Sequence, residues 1–400
     1  MNSHDRASAA LAALLAASIA APAALAEDEE PSWAQGRPDT DVAMQMAPIA
    51  HPPVPLSADE LPDLRVPEGF RLEVFQTDIL EPRHMVEGAD GTIYVSTLFN
   101  AGGKIYALTG EGADREVKVI ADELQLPSGI AYKDGDLYVA TPAEIMVMRG
   151  IDGRADDPPA PEVIVSDLPG EIPHGWKFID FGPDGRLYYP VGAPCNICSA
   201  SEEFDRIFSI EPDGSDRQVV VEGMRNTVGF DFHPVTGELW FTDNQRDWLS
   251  EDMPPDELNR VSRPGEQHFG YPYCHAGVMT DPEFGWGRSC AEFQGPAATF
   301  PAHSAPLGMT FYDGGAFPGY ENAVFVALHG PWNRTEKFAD VRVAKLDANG
   351  NVVSMQPFLT GFVENNEYRG RPASVMVMSD GSLLVSDDFA GAIYRIVHEG

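Results

Sequence analysis

The sequence predicts an all-β fold, a six-bladed β-propeller, on three observations. One phrase, a turn of the Asp-Gly type followed by an alternating apolar strand, recurs six times along the chain. The turn glycines Gly91, Gly135, Gly185 and Gly237 lie 44, 50 and 52 residues apart, close to the period of roughly 40–50 residues of propeller blades. The 38 Gly and 34 Pro favour many turns over long helices.

The copies read in order. Asp90-Gly91-Thr92-Ile93-Tyr94-Val95 is followed by the strand 103–108, and Asp134-Gly135-Asp136-Leu137-Tyr138-Val139 by 144–147. Pro183-Asp184-Gly185-Arg186-Leu187-Tyr188 precedes 206–210, and Val235-Thr236-Gly237-Glu238-Leu239-Trp240 precedes 257–261. A looser fifth copy runs through Tyr320-Glu321-Asn322-Ala323-Val324-Phe325, and the sixth is Asp380-Gly381-Ser382-Leu383-Leu384-Val385 before 392–396. The strand Phe70-Arg71-Leu72-Glu73-Val74-Phe75 is expected to join the C-terminal strands, closing the ring and removing its exposed edges.

Charge excludes some partners. Against 62 Asp and Glu stand 27 Lys and Arg, a net charge of -35. Such a surface repels phosphate backbones, so no nucleic acid partner is expected, and anionic membrane surfaces are disfavoured. Where cations do gather in this chain, they point to a specific anionic ligand.

Arg6, the apolar run Ala9 to Ala20 and the small-x-small site Ala24-Leu25-Ala26 read as an export signal over residues 1–26. The expected location is periplasmic or secreted, with no membrane span. Residues 27–64, rich in Pro, Ala and acids, read as a linker or disordered arm, and 65–400 as the propeller domain. Four Cys in an exported chain imply two disulfides, most economically Cys195 with Cys198 and Cys274 with Cys290. Ser199 follows Cys198 where haem attachment needs His, so electrons would leave to a separate acceptor.

Propellers present function on loops at one end of the channel, and three segments stand out there. They are His174-Gly175-Trp176-Lys177-Phe178, Arg225-Asn226 with Asp243-Asn244-Gln245-Arg246-Asp247, and Arg369-Gly370-Arg371-Pro372. His174 stands at a strand entrance, where an imidazole suits general-base work. Taken singly, each has a plain structural reading: a loop hydrogen bond, a sheet cap, a polar turn or a solvated arginine.

Taken together they carry a resemblance. The set comprises His174-Gly175 ahead of Phe181-Gly182-Pro183-Asp184-Gly185-Arg186-Leu187-Tyr188, and Arg225-Asn226 ahead of Gly229-Phe230. It continues with Asp256-Glu257-Leu258-Asn259, then Phe269-Gly270-Tyr271-Pro272, and with Arg371 before the last Asp-Gly strand. Over most of residues 66–398 this resembles the soluble pyrroloquinoline-quinone (PQQ)-dependent sugar dehydrogenases, especially the sorbosone dehydrogenase-like branch. The resemblance implies PQQ and Ca²⁺ as cofactors and an aldose or sorbosone-like aldehyde as substrate. A soluble cytochrome or a quinone would accept the electrons. It implies His174 as the base, Arg225 polarising the quinone oxygen, and Asn226 hydrogen-bonding the cofactor. Arg371, with Arg369 beside it, would pair with a cofactor carboxylate. Ca²⁺ would lie near Asp243, Gln245 and Arg246, held through main-chain carbonyls of the last two.

Two departures stand against that pattern. The Asp that orients the catalytic His in glucose-oxidising members is replaced by Gly192-Ala193-Pro194-Cys195. The family's quinone-contacting Lys is absent from the segment 328–334, where His329 or Arg334 would substitute. Two other readings remain open: a Ca²⁺-dependent sugar lactonase using Asp243, Asp247 and Asp256, and a non-catalytic sugar-binding propeller. The aromatic residues Tyr271, Tyr273, Trp286 and Phe293 read either as a sugar shelf or as a disulfide-pinned loop cluster.

Overall fold

The computed structural model describes residues 53–57, 59–98, 101–170 and 174–400. The expected export signal, the arm as far as residue 52, and Ile172-Pro173 lie outside the described residues.

Each repeated phrase becomes part of one four-stranded antiparallel sheet, and six such sheets follow one another. The first holds Met85–Glu87, Ile93–Ser96, Ile105–Thr109 and Glu116–Ala121, the second Gly129–Lys133, Asp136–Ala140, Ile145–Met148 and Glu162–Val165. The third holds Asp180–Phe181, Leu187–Val191, Arg206–Ile210 and Gln218–Glu222, the fourth Phe230–Phe232, Leu239–Asp243, Pro255–Arg260 and Ala298–Ala302. The fifth holds Pro306–Phe311, Val324–Leu328, Asp340–Leu346 and Val352–Leu359. The sixth combines Pro372–Val377, Leu383–Asp387 and Ala392–His398 with Phe70–Gln76 from the other end of the chain. The protein is therefore an all-β six-bladed propeller, as its repeats predict.

The turns explain the repeated Asp-Gly. Gly91, Gly185 and Gly381 have φ of 80°, 82° and 82°, a left-handed conformation that costs glycine least. The preceding Asp caps the turn, as where Asp90 Oδ1 accepts the Thr92 N–H at 3.0 Å.

The core is divided among the blade interfaces. Tyr94, Ile105, Ile130 and Val139 join the first blade to the second, and Ile179, Tyr189 and Phe208 pack the third against the second. Phe178, Phe230 and Phe241 link the third and fourth, and Trp240, Phe311 and Val324 the fourth and fifth. Phe325, Phe358 and Tyr394 link the fifth and sixth, and Met85, Val95, Leu384 and Ile393 complete the circle. Each such side chain contributes about 1.5–3 kcal/mol on burial, but only while both its blades are present. Ring closure is as expected: Phe70–Gln76 runs antiparallel to Ala392–His398, with Phe70 opposite His398. Before this strand, the Val54 N–H donates to the Phe389 carbonyl and the Leu56 N–H to that of Ala390, along the sixth blade.

The fourth blade carries the long insertion between its last two strands. Disulfides pair Cys274 with Cys290 there and Cys195 with Cys198 in the third blade, the pairing read from economy of spacing. The insertion's aromatics form a loop cluster and no shelf. Tyr273 stacks on Phe293 at 5.8 Å with Arg288 over both rings, Tyr271 is buried, and Trp286 points to solvent.

Candidate active site

The first strands of successive blades pack against one another around the axis, and the residues entering them converge on a cavity of about 460 Å³. His174, Arg225, Asn226, Gln245, His329 and Arg371 all line it. Arg83, Asp247, Asp256, His303, Asn333, Asp388, Trp176 and Trp332 line it too. Trp176, Trp332 and Asn333 belong to segments the sequence singles out for their neighbours His174, His329 and Arg334, whereas Arg83, His303 and Asp388 lie outside every such segment.

His174 is buried, and its Nδ1 lies 2.7 Å from the Ala193 carbonyl oxygen. A carbonyl only accepts, so Nδ1 carries the hydrogen and Nε2 keeps its lone pair. Among the described residues Nε2 has no protein partner. Burial first, then the charge of Arg225, push the pKa well below the ordinary histidine value. The imidazole is thus neutral and fixed in one tautomer. Gly192 permits this approach: a Cβ there would lie 2.8 Å from His174 Cβ and 3.1 Å from the Arg225 oxygen.

Arg225 is largely committed to the protein. Nε donates to the Asn196 carbonyl at 2.8 Å, Nη1 to Asn244 O at 3.1 Å, and Nη2 to Asn196 Oδ1 and Asp247 Oδ2 at 3.0 and 3.1 Å. Nη1 keeps a second hydrogen for a ligand. Asp247 also accepts from Asn333 Nδ2 at 2.7 Å, while Asn333 Oδ1 is buried without a partner among the described residues.

The wall formed by the first, fifth and sixth blades differs. Arg83 Nη1 donates to Asp388 Oδ2 at 2.7 Å, and His329 Nε2 to Asp388 Oδ1 at 2.8 Å. Burial and then Arg371 push His329 down to about 4, so it is neutral at pH 7. Arg371 spends Nε on the His329 carbonyl at 2.9 Å and Nη2 on that of Gly330 at 2.8 Å, with its guanidinium 4.6 Å from the Tyr368 ring centre. Among the described residues no carboxylate pairs with that guanidinium, and its Nη1 makes no hydrogen bond. Asp388 and Asp387 act on it only through space, and a buried guanidinium with a donor to spare favours an anionic group beside it.

Four expected site residues do not present their side chains to the cavity. Arg369 is turned outward, 3.4 Å from the Glu60 carbonyl oxygen. Arg334 pairs with Asp252 at 3.2 Å and lies over Phe338. Arg246 is fully buried on Asp281 and Glu283, at 2.7 and 2.6 Å. Asp243 is filled with donors: the N–H groups of Arg225 and Asn226 and the Gln245 amide. As a side-chain metal ligand Asp243 is thereby disfavoured, and Gln245 spends its amide on Asp243 and His275.

The profile of the TrAA12-like family matches residues 211–399. An uncharacterized protein of Borreliella burgdorferi is 31% identical over 375 residues, which span 86% of this chain and 94% of that protein. The chain belongs to the TrAA12-like family. This bears out the resemblance to soluble PQQ-dependent sugar dehydrogenases. Among solved structures, the holo form of the pyranose dehydrogenase PQQ domain from Coprinopsis cinerea superposes with a TM-score of 0.73 at 19% identity, covering 84% of this chain and 97% of that one. The calcium structure of a Trichoderma reesei carbohydrate-active enzyme of family AA12 gives 0.72 at 19% identity, with 84% and 98% covered. At such identity these likenesses speak for the fold of this TrAA12-like chain.

Proposed function

We propose that this chain oxidises a sugar, an aldose or a sorbosone-like aldehyde, using bound PQQ and Ca²⁺ and passing electrons to a separate acceptor. The observation that carries the reading is Arg371, a buried guanidinium lining the cavity whose Nε and Nη2 are held by main-chain carbonyls and which pairs with no carboxylate among the described residues. PQQ is a planar tricarboxylate, and the donor set suits it. Arg371 offers Nη1, Arg83 offers Nε and Nη2, and the Asn226 side chain lines the same space. The pyranose dehydrogenase of Coprinopsis cinerea is described as a PQQ domain in holo form, and the Trichoderma reesei relative as a calcium structure. When bound, PQQ supplies a hydride acceptor and Ca²⁺ a Lewis acid.

This chain's residues do the rest. His174 Nε2 takes the proton of the reacting hydroxyl, and its depressed pKa keeps it ready for that step at neutral pH. Arg225 places a fixed positive charge beside the developing negative oxygen. Trp332, braced edge-on by Trp248 at 5.3 Å, and Trp176 give the cavity apolar walls against which a sugar ring packs. The hydrolase alternative needs carboxylates free to ligate a metal. Asp256 spends its oxygens on the Gln245 and Ala305 N–H groups, and Asp247 on Arg225 and Asn333. An exported location with a soluble cytochrome or a quinone as acceptor fits the leader-like N-terminus and the acidic surface.

The test is dye reduction over a panel of aldoses and sugar aldehydes, with PQQ and Ca²⁺ added or withheld. Sugar-dependent reduction that needs the quinone is expected. Hydrolysis of sugar lactones without quinone would replace the proposal.

A further inference from the structure

We infer that the disulfide-closed loop Gly192–Cys198 is the positioning element that stands in for the missing orienting carboxylate, with Asn196 as its key residue. Asn196 is fully buried and does not line the cavity. Its side chain is nevertheless spent entirely on two residues that do. Oδ1 accepts from Arg225 Nη2 at 3.0 Å and from the Asp247 N–H at 2.8 Å, and Nδ2 donates to the Asp247 carbonyl at 3.2 Å. Its own carbonyl accepts Arg225 Nε at 2.8 Å. The Nε and Nη2 bonds to one residue grip the guanidinium as a fork, so its plane and the direction of Nη1 follow the loop.

The same loop holds the base. The Ala193 carbonyl fixes His174 Nδ1 at 2.7 Å, and the Ala193 N–H donates to the Arg225 carbonyl at 2.8 Å. Two anchors keep the loop in place. The Cys195–Cys198 disulfide closes it around Asn196, and Tyr271 Oη accepts the Cys198 N–H at 3.1 Å while donating to the Asn196 carbonyl at 3.3 Å. A carboxylate would orient His174 and also hold it in the charged form. A carbonyl orients without supplying a full charge, and its hydrogen bond offsets only part of what burial and then the Arg225 cation take from the imidazole. Where Asn196 holds that guanidinium therefore bears, after burial itself, on the basicity of His174.

The consequence for turnover rests on the proposed function, but the positioning itself is measurable without cofactor. The His174 imidazole is titrated by NMR in the apo protein, its signal assigned by its loss in H174Q, in the parent, N196A and C195S/C198S. N196A removes the Oδ1 half of the fork and leaves the bonds to the position-196 carbonyl, Asn244 and Asp247; the shifted guanidinium should raise the His174 pKa in N196A, and less in C195S/C198S. Loosening that admits water would raise it as well, so amide exchange of residues 187–198 is followed alongside and is expected to stay at the parent's level in N196A. With PQQ and Ca²⁺ supplied, N196A should lose about 10–100-fold in kcat with KM near the parent's. N196D, which keeps both acceptor bonds, should recover part of that loss. An unmoved His174 titration in both variants overturns the inference, as does parent-like kcat in N196A. A parent without turnover would count against the proposed function alone, because the apo titration still decides the positioning.

Discussion

The two ends of the channel have almost the same volume and different chemistry: one mixes arginines with aspartates, the other gathers acids. At the entrance of the first strands, a cavity of about 460 Å³ gathers Arg83, Arg225 and Arg371 beside Asp247, Asp256 and Asp388. Further along the same strands, a cavity of about 470 Å³ is lined by Glu87, Asp180, Asp231 and Asp313, with no Lys or Arg in its wall among the described residues. Burial, and then the charge of Asp231, push Asp180 up to about 7, and burial pushes Asp231 up to about 6. The acidic end is what a chain of net charge -35 produces by default. The end where arginines gather is the exception, built from residues of three different blades. The scaffold repeats, and what stands just before each first strand decides which end binds an anion.

The comparison is broken most severely at His174. H174A should cost about 10²–10⁴ in turnover while leaving quinone affinity within a few-fold. H174Q, which keeps size and a hydrogen-bonding end, should be nearly as slow, and steady-state dye reduction checks both. A loss below threefold with quinone bound would remove the base role. Next comes Arg371. R371A should weaken PQQ binding about 10²–10³-fold, since it removes the buried cation, and absorbance titration reads this directly. D180N at the opposite end should leave that affinity within about twofold.

Two smaller effects sharpen the contrast through pH. The base must be neutral, and the depressed His174 pKa moves the acid limb of kcat/KM below the ordinary histidine range; a limb at or above 6.5 would contradict the tautomer and charge assigned here. At the acidic end the sign is the reverse of a paired carboxylate. Asp180 has a folded pKa of about 7, above its ordinary value of 3.8, so its stabilising contribution is full below about 4 and fades as pH rises through 7. D180N should therefore raise Tm by about 1–4 °C at pH 8 and by nothing measurable near pH 4, in calorimetric scans.

Much of this was legible in the sequence because it is local. The Asp-Gly turn and the strand after it are neighbours along the chain, so all six blades could be read, and the leftover Phe70 strand implied its own partner. His174, Arg225, Asn226 and Arg371 were found because each precedes an apolar first strand. Arg83, ahead of Met85–Glu87, and His303, ahead of Pro306–Phe311, carry the same signal and were missed. What could not be read is direction and long-range pairing. Arg369 and Arg371 are separated by one glycine, yet one faces Glu60 and the other the cavity. Arg83 meets Asp388 across 305 residues, a contact that exists only once the ring is closed. Asp243 reads as an acid beside a metal site, but main-chain N–H groups claim its side chain, and the insertion's acids claim that of Arg246, whose expected part there is its main-chain carbonyl.

The central claim is that the arginine-lined end of the channel holds PQQ. Its most direct test is equilibrium titration of the apo protein with PQQ in the presence of Ca²⁺, followed by the quinone's absorbance, for the parent, R371A and D180N. The account predicts saturable one-to-one binding by the parent and by D180N, and its loss in R371A. Absence of binding by the parent, or equal binding by R371A, would contradict it.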